Sequence, residues 1–448
     1  MAVSSSSAPV AFSGIVSGLN TTSIITSLVN AAKASESQYT SQQSTLSDQK
    51  TAVDAISASL SSLGTFAQTL ELPSTLQLKT ATTSDSHLSV AVSGDATATT
   101  HTMRVDQIAT AQTVSSSTYT SDAAGIAGTG SVQISSGTGS SAVSATINYD
   151  STDTLDSIAS KINSAQAGVS ASVLFDGTSY RLMVASNTTG KANAATFTET
   201  GTGLGLSDPN NIKVAAKDAE LDIDGVEVTR PTNVIDDALP GATITLNSAQ
   251  ATSDPDTTVT VANDHTGLTS LLNQFISNYN SVAGSLAVQM TYNGNQTTQA
   301  PLFGDSTLRQ LQSSMESIAS QSFGGMNLTS LGITIDQDGN MSLDTDTLNA
   351  ALTSNPNAIS DLFVKNGLAT AMYNMTNEYT DPANGILTAK DKSITDQTST
   401  LQDEIDQIEA NATALQTRLQ DQFNQLETTM SQLQSEGNAV TKMFSSST

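Results

Sequence analysis

His87, His101 and His265 are the only histidines in this 448-residue chain, and none stands in an H-E-x-x-H frame. A three-histidine zinc site would need all three to converge, because each supplies one nitrogen to a tetrahedral ion. Structural or solvent-facing imidazoles are the expectation. Cysteine is absent, so neither a disulfide framework nor a thiolate metal site can exist. Asp336-Gln337-Asp338-Gly339-Asn340 looks superficially like a calcium loop. Its glycine comes one position early, and the bidentate acid expected further on is out of register. The flanking Ile333, Ile335, Met341 and Leu343 make it a hairpin turn instead. Gly125-Ile126-Ala127-Gly128-Thr129-Gly130 and Gly201-Thr202-Gly203-Leu204-Gly205 are glycine-rich. Neither follows a strong apolar strand and opens a helix with phosphate-cradling spacing, so both read as loops. No G-x-S-x-G nucleophile elbow is present. Carboxylate pairs will arise by chance among 42 acidic residues, so a pair alone identifies no catalyst. No enzyme, cofactor or metal is expected.

Charge narrows the partners further. Sixteen basic residues against 42 acidic ones give a formal charge of −26. A phosphate-backbone partner needs clustered Lys and Arg, so nucleic acid is excluded as the expectation. An anionic membrane surface is disfavoured for the same reason. The simplest role of the charge is to keep an abundant protein soluble. Aromatics are 4% and Trp is absent, which argues against large ring-lined pockets. No stretch approaches 18 apolar residues, so no membrane insertion is expected. Met1 to Gly14 has no basic n-region and no apolar run fit for a signal peptide. That does not fix the chain in the cytosol, because some secretion systems use an uncleaved N-terminus. A cysteine-free chain suits either compartment, and suits export in the unfolded state.

The periodicity of the apolar residues sets the architecture. Met1 to Pro9 is Ser- and Ala-rich and reads as disordered when alone. Thr21 to Ser23 offers N-cap choices ahead of Ile24, Ile25, Leu28 and Val29. The helical pattern then runs to Leu70, with a break near Ser35 to Ser41, and Pro73 ends it. Tyr39, Leu46, Val53, Leu60 and Ala67 form one heptad row, and Ile56, Leu63 and Leu70 the other. From Thr80 the period becomes two: Leu88 to Val92 and Met103 to Ile108 alternate as half-buried strands. Thr154 to Ala165 reads as a short helix with Leu155, Ile158, Ala159 and Ile162 on one face, capped by Asp153 or Thr154. Strands at Val169 to Leu174 and Tyr180 to Val184 flank an Asp176-Gly177 turn. Leu221 to Val228 reads as a hairpin closed by Asp224-Gly225, whose positive φ angles suit a two-residue turn. The helical period returns at Asp264. From about Ile394 a terminal coil begins: Leu401, Ile405, Ile408, Ala412, Leu415 and Leu419 alternate steps of four and three, and Leu426, Leu433 and Val440 continue at sevens. Beyond Leu419 the stripe broadens with Phe423 and Met430, which suggests more than one covering helix.

The predicted fold is α+β and multidomain. N- and C-terminal helices pair into a helical bundle or coiled-coil stalk, and two nested β-rich head domains are inserted between them. Residues 1–40 and 394–448 would form the leg. Residues 41–79 and 264–393 would form a helical bundle with a hairpin. Residues 80–113 and 213–263 would form one β-rich head domain, and 114–212 the α+β domain inserted in it. An oily stripe on a helix must be covered by another helix. For Tyr39 to Leu70, bundle packing within the chain and a true coiled coil both fit. For Leu401 to Val440 a coiled-coil or filament-like interface is favoured. The candidate seam residues are Ile24, Leu28, Leu46, Val53, Leu60, Leu401, Ile405, Ile408, Leu415, Leu419, Leu426 and Leu433.

Several segments resemble the flagellar hook-associated protein 2 family in order and spacing. Ser17-Gly18-Leu19-Asn20-Thr21-Thr22-Ser23-Ile24-Ile25 with Leu28-Val29 is similar to its opening segment. Ile158 to Asn163, Gly168 to Ala171, Asp176-Gly177 and Arg181-Leu182 look like a module shared with flagellins. Ala219 to Val226, Asn233 and Pro240-Gly241 look like the second β segment, and Leu331-Gly332-Ile333, Asp338-Gly339, Leu343 and Ile359 to Phe363 like the C-terminal signature. The family often has Asp at Asn20 and a Pro near Ala34. The resemblance implies a secreted, ring-shaped homo-oligomer at the distal tip of the bacterial flagellum, its terminal helices reaching down to flagellin. It would promote flagellin folding and polymerisation and prevent flagellin leakage. It further implies a ring of about five copies (a pentamer) and an export chaperone masking the C-terminal helix. An adhesin binding host mucin or other glycans through the Ser- and Thr-rich 113–146 stretch is one alternative. Another axial protein, at the hook-filament junction or in the filament itself, is a second. An extracellular hydrolase is a third, weakened by the missing catalytic motifs.

Overall fold

A computed structural model describes residues 18–139, 142–292, 299–364 and 366–445; Met1–Pro9, read above as disordered, lies outside them. The chain divides into two compact units, Met1–Leu72 with Ser270–Thr448, and Pro73–Thr269.

The first unit opens with helix α1 (Thr21–Ala32). Asn20 caps it, its Oδ1 accepting from the Ser23 N–H at 3.1 Å, so asparagine does here what an aspartate would do. The helical run breaks at Lys33–Ser35, slightly before the expected Ser35–Ser41, and needs no proline to do so. Helix α2 (Glu36–Leu70) follows. Its buried face is Ala52, Val53, Ile56, Leu60, Leu63, Gly64, Ala67 and Leu70: the two heptad rows from Val53 on, with Ala52 and Gly64 beside them, while Tyr39 and Leu46 are only half-buried. Pro73 does not cut α2, which ends at Leu70; it opens the second unit with a short helix, α3 (Pro73–Leu76), where its missing N–H costs nothing.

The second unit is β-rich. Strands β1 (Lys79–Thr83), β2 (Leu88–Val92), β3 (Thr100–Gln107) and β4 (Thr113–Ser115) lead into β5 (Gly130–Ser136) and β6 (Val143–Tyr149). Helix α4 (Leu155–Ser164) precedes β7 (Val169–Phe175), β8 (Tyr180–Ser186), β9 (Thr196–Gly201) and β10 (Ile212–Val214). Then come β11 (Ala219–Ile223), β12 (Val226–Arg230), β13 (Val234–Leu239), β14 (Ala242–Leu246) and β15 (Thr257–Asn263). Two layers share one core: the sheet β1-β15-β3-β11-β12 and the sheet β13-β14-β2 enclose Leu88, Met103, Val105, Leu221, Ile235, Ile244 and Val259. A separate core, around Val132, Ile134, Leu155, Ile158, Ile162 and Leu182, is built by the sheets β10-β4-β8-β7 and β6-β5-β9 with α4. Thr154 caps α4 by accepting from the Ser157 N–H at 3.0 Å. In the β11–β12 hairpin Ile223 pairs with Val226, and both Asp224 (φ 52°) and Gly225 (φ 84°) are left-handed, the geometry of a type I′ turn.

The chain returns to the helical unit through α5 (His265–Met290) and continues with α6 (Ser306–Ala319), the hairpin β16 (Ile333–Ile335) and β17 (Met341–Leu343), α7 (Thr345–Ser354), α8 (Ala358–Phe363) and α9 (Leu368–Thr380). Asp336 to Asn340 turns that hairpin: Ile335 pairs with Met341, and the Asp336 carboxylate accepts from the Asp338 and Asn340 N–H groups at 2.9 and 2.8 Å. Phe275 meets Phe363 edge-to-face, centroids 5.2 Å apart, a favoured aromatic geometry. Helix α10 (Ile386–Ser445) then runs for 60 residues, about 90 Å. It starts eight residues before the coil pattern became legible at Ile394. The roughly half-helical α+β layout, with paired chain ends and β-rich insertion, is the one predicted.

Candidate assembly surface

The terminal helices place the seam. Helix α2 packs on α9 and α10, and α1 packs on α10. Polar bridges fix their register. Gln43 Nε2 donates to Gln402 Oε1 at 3.1 Å and to the Thr398 carbonyl at 3.4 Å. Lys33 Nζ lies 3.2 Å from Glu36 and 3.5 Å from Glu409. Lys50 pairs with Asp391. Bonding to the Asp391 carboxylate raises the Lys50 amine above its ordinary value, against a smaller opposing effect of desolvation. On the lysine side this bridge is therefore present at neutral pH and is lost as pH rises through the raised value.

The seam residues divide by surroundings. Val53 and Leu60 have no exposed surface; they are spent inside the helical unit. Ile405 is buried, and Leu46, Leu401, Ile408, Leu415 and Leu419 are half-buried along the α2–α10 and α1–α10 contacts. Ile24, Leu28, Leu426 and Leu433 are exposed, Leu433 by 57%. Leu46 and Leu401 also share an open groove with Gln42, Thr45, Gln397 and Thr400. The periodicity did not single out Leu19 or Met443, which are exposed too; a lone leucine ahead of a cap and a methionine off the heptad give little signal. Apart from Glu427, every described side chain of α10 from Gln425 on is exposed. Met430, Leu433 and Val440 thus continue the apolar row into solvent.

The chemistry-bearing residues do not gather. His87 Nδ1 is 3.0 Å from Asp85, and His101 Nδ1 is 2.6 Å from Asp224. Among the described residues no group of three or more His, Asp or Glu could hold a metal ion. None of the described helices is long and apolar enough to cross a membrane. In the Gly201–Gly205 loop, the Glu199 carboxylate accepts from the Leu204 and Ser207 N–H groups at 2.7 and 3.2 Å; an acid occupies the nest.

Paired terminal helices with an apolar row left open, around a β-rich insertion, define an assembly protein. Residues 17–112 match the model of the flagellar hook-associated protein 2 N-terminus, and residues 216–435 that of its C-terminus. Residues 125–188 match the flagellin hook IN motif. The chain belongs to the flagellar hook-associated protein 2 family. It is 28% identical over 382 residues to flagellar hook-associated protein 2 of Escherichia coli K12, covering 80% of this chain and 81% of the relative. It is 25% identical over 420 residues to the B-type protein of Pseudomonas aeruginosa PAO1, covering 87% and 86%. A crystal structure of the D1-D2-D3 domains of the Escherichia coli flagellar cap protein aligns with a TM-score of 0.63 at 28% identity, over 77% of this chain and 99% of that one.

Proposed function

We propose that this chain is the filament cap at the distal end of the bacterial flagellum, promoting flagellin folding and polymerisation and preventing flagellin leakage as the filament grows. One observation carries the reading: in a chain of this family, the apolar rows of α1 and of the end of α10 stand open. Uncovered aliphatic side chains at Ile24/Leu28 and Leu426/Leu433 lose hydrophobic free energy until a partner helix covers them. Neighbouring copies and flagellin are the partners. The mechanism is geometric: ring subunits repeat at one angle and filament subunits at another, so the mismatch leaves a notch for each incoming subunit. A closed ring, taken here as five copies, follows from head-to-tail contacts between identical subunits. Before export a chaperone would shield the same α10 row. No observation on residues 113–146 favours the glycan-binding reading; they supply strands around a core.

The test is complementation of a strain lacking its cap. The full chain restores filaments and swimming. The chain truncated after Lys392, and the double variant L426E/L433E, do not, and flagellin accumulates in the medium. Normal filaments from either variant would refute the reading.

A further inference from the structure

Two sheets of the Pro73–Thr269 unit end in strands whose outer edges are unpaired: β10 bounds β10-β4-β8-β7, and β12 bounds β1-β15-β3-β11-β12. An open edge presents N–H and C=O groups to another chain. These two edges carry opposite charge. Along β10, Ile212, Lys213 and Val214 are all exposed, as is Ala215 just after it. Thr110 draws two more lysines to this rim. Its N–H donates to the Lys217 carbonyl at 3.0 Å, and its carbonyl accepts from the Gly190 N–H, next to Lys191, at 3.3 Å. The backbones of three of the chain's 16 basic residues therefore come to this rim, together with Asp218, whose carboxylate accepts from the Lys191 N–H at 2.7 Å. Lys191 lies 3.7 Å from Glu220. Among the described residues, no carboxylate pairs with Lys213 or Lys217; Lys213 donates only to the Asn210 carbonyl, at 3.4 Å.

The other edge is acidic at its hairpin tip; at the far end of β12, Arg230 pairs with Asp237. At the tip of the β11–β12 hairpin, Val226 is 64% exposed. Asp222 stands opposite Glu227 in the register. The Asp222 carboxylate accepts from the Gly225 N–H at 2.7 Å, which stiffens the tip. No described cation pairs with Glu227. Edge lysines ordinarily keep strands apart. In copies that each carry −26, however, a lysine-bearing edge is a place where a second copy's acidic edge can approach without repulsion.

We propose that the β10 edge of one copy docks on the β11–β12 tip of a second copy, Lys213 and Lys217 facing Glu227 and Asp222, with Ile212 and Val214 against Val226. The contact is head-to-tail, so it leaves a free edge at each end and can close a ring. It rests on the self-assembly required by the cap reading and adds which surfaces meet.

Sedimentation velocity of the full chain tests it. K213E/K217E and E227K each weaken self-association at least tenfold at low salt, with unchanged melting temperature. An equimolar mixture of the two variants forms mixed head-to-tail pairs, because each supplies the charge the other has reversed; a structural defect would not be rescued this way. Variants that assemble like the parent, or a mixture that stays dissociated, overturn the proposal. Filament growth by the parent chain is scored separately, so the proposal can fail while the cap reading stands.

Discussion

Asp153 is only 7% exposed, yet it is charged. Its carboxylate accepts from Lys161 Nζ and Ser157 Oγ, each at 2.7 Å, and from the Asp150 N–H at 2.9 Å. The lysine first, then these hydroxyl and amide donors, hold its pKa down at about 2, against 3.8 ordinarily. A depressed carboxyl contributes stability above its unfolded value, and that stability is lost as pH falls through the folded one. The α4 core should therefore weaken between about pH 4 and pH 2, and D153N should lower stability by about 1–3 kcal/mol at neutral pH; thermal melts across pH check both. Gly64 on α2 is a second such position. A Cβ there would lie 2.3 Å from Thr376 Oγ1 on α9. G64A should cost about 1–3 kcal/mol by overpacking, measured by denaturant unfolding. The sequence gives no sign of the tight fit at Gly64. Gly64 depends on what α9 brings to the spot, which spacing along the chain does not encode; Asp153, a cap candidate in the sequence, draws its partners from residues 150–161.

Helices α2 and α10 carry the same kind of stripe but differ in cover. Leu60 on α2 is wholly buried, whereas Leu433 on α10 is exposed. L60A should cost about 2–5 kcal/mol, while L433A should stay within about 0.5 kcal/mol of the parent, as surface changes do. Equal losses in chemical denaturation would contradict this assignment. The seam was legible as a row in both helices, because a 3.5-residue repeat needs only local sequence. Its cover was not legible. Val53 and Leu60 share the spacing of Leu426 and Leu433, and only the packing of α9 and α10 against α2 separates core from open row. The turns read more faithfully. Asp224-Gly225 demanded positive φ, and Asp336 to Asn340 was bounded by alternating strand residues, so each kept its meaning without knowledge of its neighbours.

Two compact units that divide at Leu72/Pro73 and Thr269/Ser270 should unfold as separate transitions, since each buries its own core. Scanning calorimetry of the full chain should resolve at least two endotherms; a single calorimetrically two-state peak would count against it. The sequence by itself determined the order helix, β-rich insertion, helix, because the apolar period switches between 3.5 and 2 at sites the residues mark locally. It also determined a chemistry without cysteine, and a charge hostile to polyanions. Which stripe is spent inside the chain, and which strand edges stay open with opposite charge, only the folded arrangement decided. Burial and edge pairing are relations between segments far apart in the chain, and no local pattern records the partner a surface will find.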